Sequence, residues 1–171
     1  SMKKCNILYM KVEIKNIKEL LNMQNQYEFL KNEIKAFREE GHKFYNKELS
    51  VGDFKKISGG MGVYAQRGGE SFMIRLRTNS GLLPLNQLKL IDSFLTDFNI
   101  EKLHMTTRQA IQLHDLSIDA VCDIMEKALD NGLYTRGGGG NFPRNVSLSP
   151  MSGVEKNEAF DVTDFANEIS K

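Results

Sequence analysis

The chain sorts its two kinds of basic residue. Of seven arginines and sixteen lysines, six arginines lie between Gly60 and Pro150, where the only lysines are Lys89, Lys102 and Lys127. Those arginines (Arg67, Arg75, Arg77, Arg108, Arg136 and Arg144) fall in strand-like pieces or glycine-rich turns, whereas the three lysines lie on or beside helical segments. A guanidinium is a planar fork of five donors that grips carboxylate or phosphate oxygens in pairs, while an ammonium acts as a point charge. The sorting points to a ligand carrying several anionic groups. Arg75, Arg108 and Arg144 are the leading candidates, because they come from separate segments that one sheet can bring to one face. Arg77 has a plainer reading, facing solvent or pairing with Glu101, and Arg67 one as a solvated turn residue of YAQRGGESF.

Two other stretches carry donors at useful spacing. In TTRQAIQLH, Arg108, Gln112 and His114 line up guanidinium, amide and imidazole groups, and Gln112 and His114 share a strand face because they are two residues apart. The plainer reading of His114 is a hydrogen-bonded, partly buried strand residue. In YTRGGGGNFPRNVSLSP, residues 134–150, four consecutive glycines lie between two arginines. This is not a dinucleotide fingerprint, since GxGxxG fails at its third glycine and no helix opens behind it, nor a P-loop, since no GK[ST] follows. A linker is the plain alternative, but Arg136, Asn141 and Arg144 lie too close for an idle tether. Glycine backbone approaches a flat ligand closely and exposes amide donors, so the stretch is expected to be a ligand cradle.

Metal chemistry has little to work with. Cys5 and Cys122 are the only cysteines, too few for a disulfide framework, a four-thiolate cluster or a structural zinc site. His42, His104 and His114 form no HExxH-like pair. No metal site is expected from this chain alone.

The elements that must position these residues follow from periodicity. Apolar residues at helical spacing from Val12 to Glu40, closed by Gly41, predict a long helix with a solvated face, and a shorter one follows Ser50 and stops at Gly59-Gly60. SFMIRLR alternates as a strand whose second face carries Arg75 and Arg77. A helix over Leu83 to Phe98 comes next, then two strand pieces around Thr106-Thr107-Arg108. A helix capped by Ser117 and ended by Gly132 follows, then a strand at RNVSLS and a last helix after Asp161 or Thr163. The order β-α-β-α-β predicts an α/β or α+β sandwich of ferredoxin-like type, α+β once the helical extension is counted. Length, 40% hydrophobic and 26% charged residues and a net charge of +1 suit one compact unit, and exclude wholesale disorder and a polyanion-coating protein. No apolar run approaches a membrane span and the start lacks a signal-peptide stretch, so a cytoplasmic protein is expected.

FMIRLR, TTRQAIQLH and GGGGNFPRNVSLSPMSGV, in this order and spacing, resemble the N-terminal half of the nitrite/sulfite reductase family over about Ser58 to Gly153. Helical periodicity makes residues 1–60 an extension, and the resemblance implies a ferredoxin-like half domain over 61–130 and the beginning of a siroheme-binding domain over 131–171. It implies siroheme as cofactor, an iron isobacteriochlorin with eight carboxylates, coupled to a 4Fe-4S cluster in the complete enzyme. It further implies sulfite or nitrite as substrate and a donor such as ferredoxin. Arg75 and Arg144 match positions that bind the substrate anion, and Arg108, Gln112, His114, Gly140 and Asn141 match positions that meet siroheme. The family's two active-site lysines, four cluster cysteines and second half domain have no counterpart here. The chain is therefore expected to be either an N-terminal part that needs the C-terminal half for turnover or a truncated relative that has lost catalysis. A ferredoxin-like sheet that binds RNA or another anionic partner is the alternative, disfavoured because FMIRLR offers one Phe and IQLH no aromatic residue.

Overall fold

The computed structural model describes the backbone of residues 2–170 and the side chains of residues 18–170. The side chains of Cys5, Ile14 and Ile17 lie outside the described residues. Two compact units are present, 1–36 and 37–171. The first consists of the earlier part of helix α1 (Met2–Tyr45). In it Leu20, Leu21, Met23 and Phe29 are exposed, and Lys31 Nζ lies 5.3 Å above the Tyr27 ring one turn away.

The second unit contains the end of α1, and Gly41 does not close that helix as the sequence predicts. The helix runs on to Tyr45, and Lys47 just beyond takes a φ of 64°. Gly41 has a packing reason instead: a Cβ there would lie 2.2 Å from Ile118 Cγ1. Helix α2 (Val51–Met61) starts as expected at Ser50, whose Oγ accepts from the Asp53 N–H at 3.1 Å. It continues through Gly59-Gly60 and stops at Gly62, φ 78°. Aromatic contacts tie these helices to the sheet, with Phe44 stacked on Phe54 at 4.2 Å and Phe54 edge-on to Phe72 at 5.7 Å.

The sheet has four antiparallel strands in the order β1-β2-β4-β3: β1 (Val63–Ala65), β2 (Phe72–Arg77), β3 (Leu103–Met105) and β4 (Ala110–Leu116). Period-two alternation buries Phe72, Ile74 and Leu76 of β2 and Leu113 of β4. Ile91 and Phe94 of α3 (Leu85–Asp97) and Val121, Ile124 and Met125 of α4 (Ile118–Asp130) complete the core. Ser117 caps α4, its Oγ accepting from the Ala120 N–H at 3.1 Å. Helix α5 (Thr163–Ser170) follows Asp161, whose carboxylate accepts from the Thr163 N–H at 2.9 Å.

The fold is α+β and ferredoxin-like, and its strands depart from the sequence reading. The last strand position is taken by Tyr134, bridged antiparallel to Arg77, whose N–H donates to the Tyr134 carbonyl at 2.7 Å. RNVSLS is not a strand. The backbone of Leu148 is satisfied by one side chain, Gln109, whose Nε2 donates to its carbonyl at 2.6 Å and whose Oε1 accepts from its N–H at 3.1 Å. Strand β1 was not anticipated, being too short to show a period. Among the described residues no helix is long and apolar enough to cross a membrane.

Candidate anion-binding face

The sheet face turned away from α3 and α4 collects the polar residues. Register pairs Arg75 with Gln112 and Gln112 with His104, making a row across β2, β4 and β3. His114, half-buried, follows Gln112 on the same face, and Tyr64 of β1 lies under Arg75, its ring 5.8 Å from the guanidinium carbon.

Two guanidiniums converge here. Arg75 Nη1 and Arg144 Nη1 each donate to the Gly138 carbonyl at 2.6 Å, and Arg144 Nη2 donates to the Gly140 carbonyl at 3.1 Å. With its carboxamide turned so that the oxygen faces the guanidinium, Gln112 accepts from Arg75 Nε at 3.1 Å and Nη2 at 2.6 Å. No carboxylate among the described residues lies within ion-pair distance of Arg75, Arg108 or Arg144. Burial first, then the like charges of Arg144 and Arg108, depress the affinity of Arg75 for its proton, though a guanidinium stays charged at any physiological pH. Arg38 shows the opposite arrangement. It lies 2.9 Å from Asp119, 2.7 Å from Asp123 and 3.8 Å from Glu126, and the hydrogen bonds to Asp123 and Asp119 help to more than offset its burial.

The glycine run is occupied chiefly by the chain's own backbone. A Cβ on Gly138 would lie 2.7 Å from the Thr135 carbonyl oxygen and 2.9 Å from that of Arg75. One on Gly139 would lie 2.5 Å from both the Gly59 carbonyl oxygen and Tyr64 Oη. Gly59 is pressed in turn against Gly140, and Gly60 against Phe142, which is why α2 carries glycines in its last turn. The Gly140 N–H donates to Tyr64 Oη at 2.7 Å. The run thus turns carbonyls toward the arginines. Gly140 and Asn141 are exposed at its end.

Arg108 sits exposed in the turn between β3 and β4, its carbonyl accepting from Asn145 Nδ2 at 3.2 Å. Arg77 pairs with neither solvent alone nor Glu101: Nε donates to Asn145 Oδ1 and Nη1 to the Arg136 carbonyl, both at 3.3 Å. Arg67 is exposed. Three residues of this face escaped the sequence reading. Gln109 lay within the TRQ motif, Asn145 beside Arg144, and Tyr64 in a strand without periodic signal.

The face suits an anionic group. The described residues do not suit an iron-sulfur cluster, since Cys122 is buried in α4 and burial pushes its thiol up to about 12, leaving it protonated.

Residues 64–131 match the nitrite/sulfite reductase ferredoxin-like half domain. An assimilatory ferredoxin-dependent nitrite reductase of Haloferax mediterranei is 30% identical over 141 residues, covering 75% of this chain and 24% of that protein. A sulfite reductase (ferredoxin) of Mycobacterium tuberculosis is 32% identical over 98 residues, covering 57% and 18%. The solved structure of the Mycobacterium tuberculosis NirA protein superposes with a TM-score of 0.64 at 25% identity, over 77% of this chain and 28% of that one. This chain thus spans 24% or less of the length of both curated relatives. With the topology and the sequence motifs in agreement, the chain belongs to the nitrite/sulfite reductase family and carries its ferredoxin-like half domain.

Proposed function

We propose that this chain supplies the anion-gripping face of a siroheme-dependent sulfite or nitrite reductase. In this reading Arg75 and Arg144 hold the substrate oxyanion, and Arg108, Gln112, His114, Gly140 and Asn141 contact siroheme. Residues 1–60 form an extension, 61–130 the half domain and 131–171 the opening of the siroheme domain. The observation that carries the reading is the pair of guanidiniums sharing the Gly138 carbonyl, with no carboxylate among the described residues within ion-pair distance of either. A carbonyl bears only a partial charge, so two full positive charges remain for an anion to compensate. Exposed Arg108 extends the same charge toward a polycarboxylate.

Siroheme, when bound, supplies the iron at which electrons from a ferredoxin-type donor meet the substrate. The part of this chain is to bind and orient: paired guanidinium N–H groups fix oxyanion oxygens and stabilise added negative charge. Two cysteines cannot ligate a four-thiolate cluster, so six-electron turnover needs the rest of the enzyme.

Titration of the purified chain with siroheme, followed by absorbance, tests this. Weak binding that falls with added salt is expected. No spectral change, or tight RNA binding in its place, would overturn the reading, as would sulfide or ammonia production by this chain alone.

A further inference from the structure

We propose that Gln112 is a positioning residue for the anion-gripping guanidinium of Arg75, acting as a neutral tether across β2 and β4. The inference rests on the oxyanion reading above.

Arg75 and Gln112 are Cα partners in the sheet, so both side chains rise side by side from one face. A guanidinium has five N–H donors. Gln112 takes the Nε edge, with contacts at 3.1 Å and 2.6 Å, and Gly138 takes one donor of Nη1 at 2.6 Å. One N–H on each Nη is left, which suits two oxygens of one anion. The tether has work to do, because Arg144 and Arg108 both repel Arg75. Unheld, the side chain would swing away from its like charges.

A neutral tether also differs from the usual one. A carboxylate in the same place would hold the guanidinium equally well and cancel its charge, as Asp119 and Asp123 do for Arg38. A carboxamide oxygen fixes direction and leaves the charge available. The two N–H donors of Gln112 stay free of this role, so a contact from its amide to a cofactor is compatible with it.

The test uses the full chain with Gln112→Leu, Gln112→Glu, Arg75→Ala and the double variant Arg75→Ala/Gln112→Leu, their folding checked by circular dichroism. Two quantities are read: affinity for sulfite by calorimetric titration, and hydrogen exchange of the Arg75 Nε–H by nitrogen-15 NMR, assigned by its loss in Arg75→Ala. Gln112→Leu should weaken sulfite binding about tenfold, as loss of a charge-assisted hydrogen bond does, and speed the exchange. Gln112→Glu should keep the Nε–H protected yet bind sulfite as poorly as Gln112→Leu, an outcome a merely structural role would not give. Adding Gln112→Leu to Arg75→Ala should change affinity no further. Unchanged exchange in Gln112→Leu, or an equal loss of affinity on the Arg75→Ala background, overturns the proposal. If the parent chain binds no sulfite, the oxyanion reading fails, and the exchange rate in Gln112→Leu still decides whether Gln112 holds Arg75.

Discussion

Arg75 and Arg144 donate to the same oxygen, the Gly138 carbonyl, each at 2.6 Å, although they come from a strand and from a loop beyond the glycine run. Like charges meet at a shared acceptor only if the fold holds both in place. The glycine run does so by packing its backbone against β2 and α2.

Because the two guanidiniums share an acceptor and repel each other, their removal should not be additive. Arg75→Ala and Arg144→Ala are each expected to weaken sulfite or nitrite binding about tenfold to a hundredfold, and the double variant by less than the product of the two. Arg108→Ala should weaken siroheme binding first and leave the oxyanion largely unaffected. Calorimetric titration of the four proteins with sulfite, beside absorbance titration with siroheme, checks this. A double loss equal to the product would mean that the two arginines act separately.

Substituting a glycine in close contact and one in the open should do damage of different kinds. Gly139→Ala places a methyl group 2.5 Å from Tyr64 Oη and the Gly59 carbonyl oxygen, so a loss of about 1–3 kcal/mol is expected from overpacking. Gly68 has a φ of 101° but nothing within 4 Å of its Cβ position, so Gly68→Ala carries only backbone strain. That strain should cost about 1–2 kcal/mol. Urea denaturation of both variants, with siroheme titration of Gly139→Ala, gives the comparison; the arginine face should be disturbed by the first and not the second.

Asp119 and Arg38 link stability to acid pH. The hydrogen bond from Arg38, aided by His42 and opposed by burial, holds the Asp119 carboxyl below its ordinary value of 3.8. A depressed folded value means that the stabilisation is present above the unfolded value and is lost as pH falls through the folded one. Both side chains are partly exposed, so Arg38→Ala should cost only about 1 kcal/mol at neutral pH. Thermal melts should show that gap at pH 6 and see it close below about pH 4.

Cys122 works in the other direction. Burial raises its thiol from 9.0 to about 12, so the unfolded chain ionises at lower pH than the folded one. Stability from this group is complete below the unfolded value and is lost as pH rises toward the folded value. At pH 8 iodoacetamide should label Cys122 only when denaturant is present, as peptide mass spectrometry, which separates it from Cys5, will report. Rapid labelling of the folded chain would contradict its burial.

Local pattern determined a good deal of this protein. The alternation of FMIRLR placed Arg75 on the face opposite Ile74, and the same period in β4 put Gln112 and His114 together. Ser50 and Ser117 announced their helices, since a cap needs only residues a turn away. Tertiary structure decided what depends on distant backbone. Gly41 looked like a helix stop and is a contact with Ile118, and Gly59 meets Gly140 across the glycine run. RNVSLS has strand composition but finds its hydrogen bonds on Gln109. Arg75 and Arg144 were each visible as candidate cation positions, but their shared oxygen was not. Sequence spacing governs neighbours along an element, whereas a close approach between elements depends on where the whole core places them.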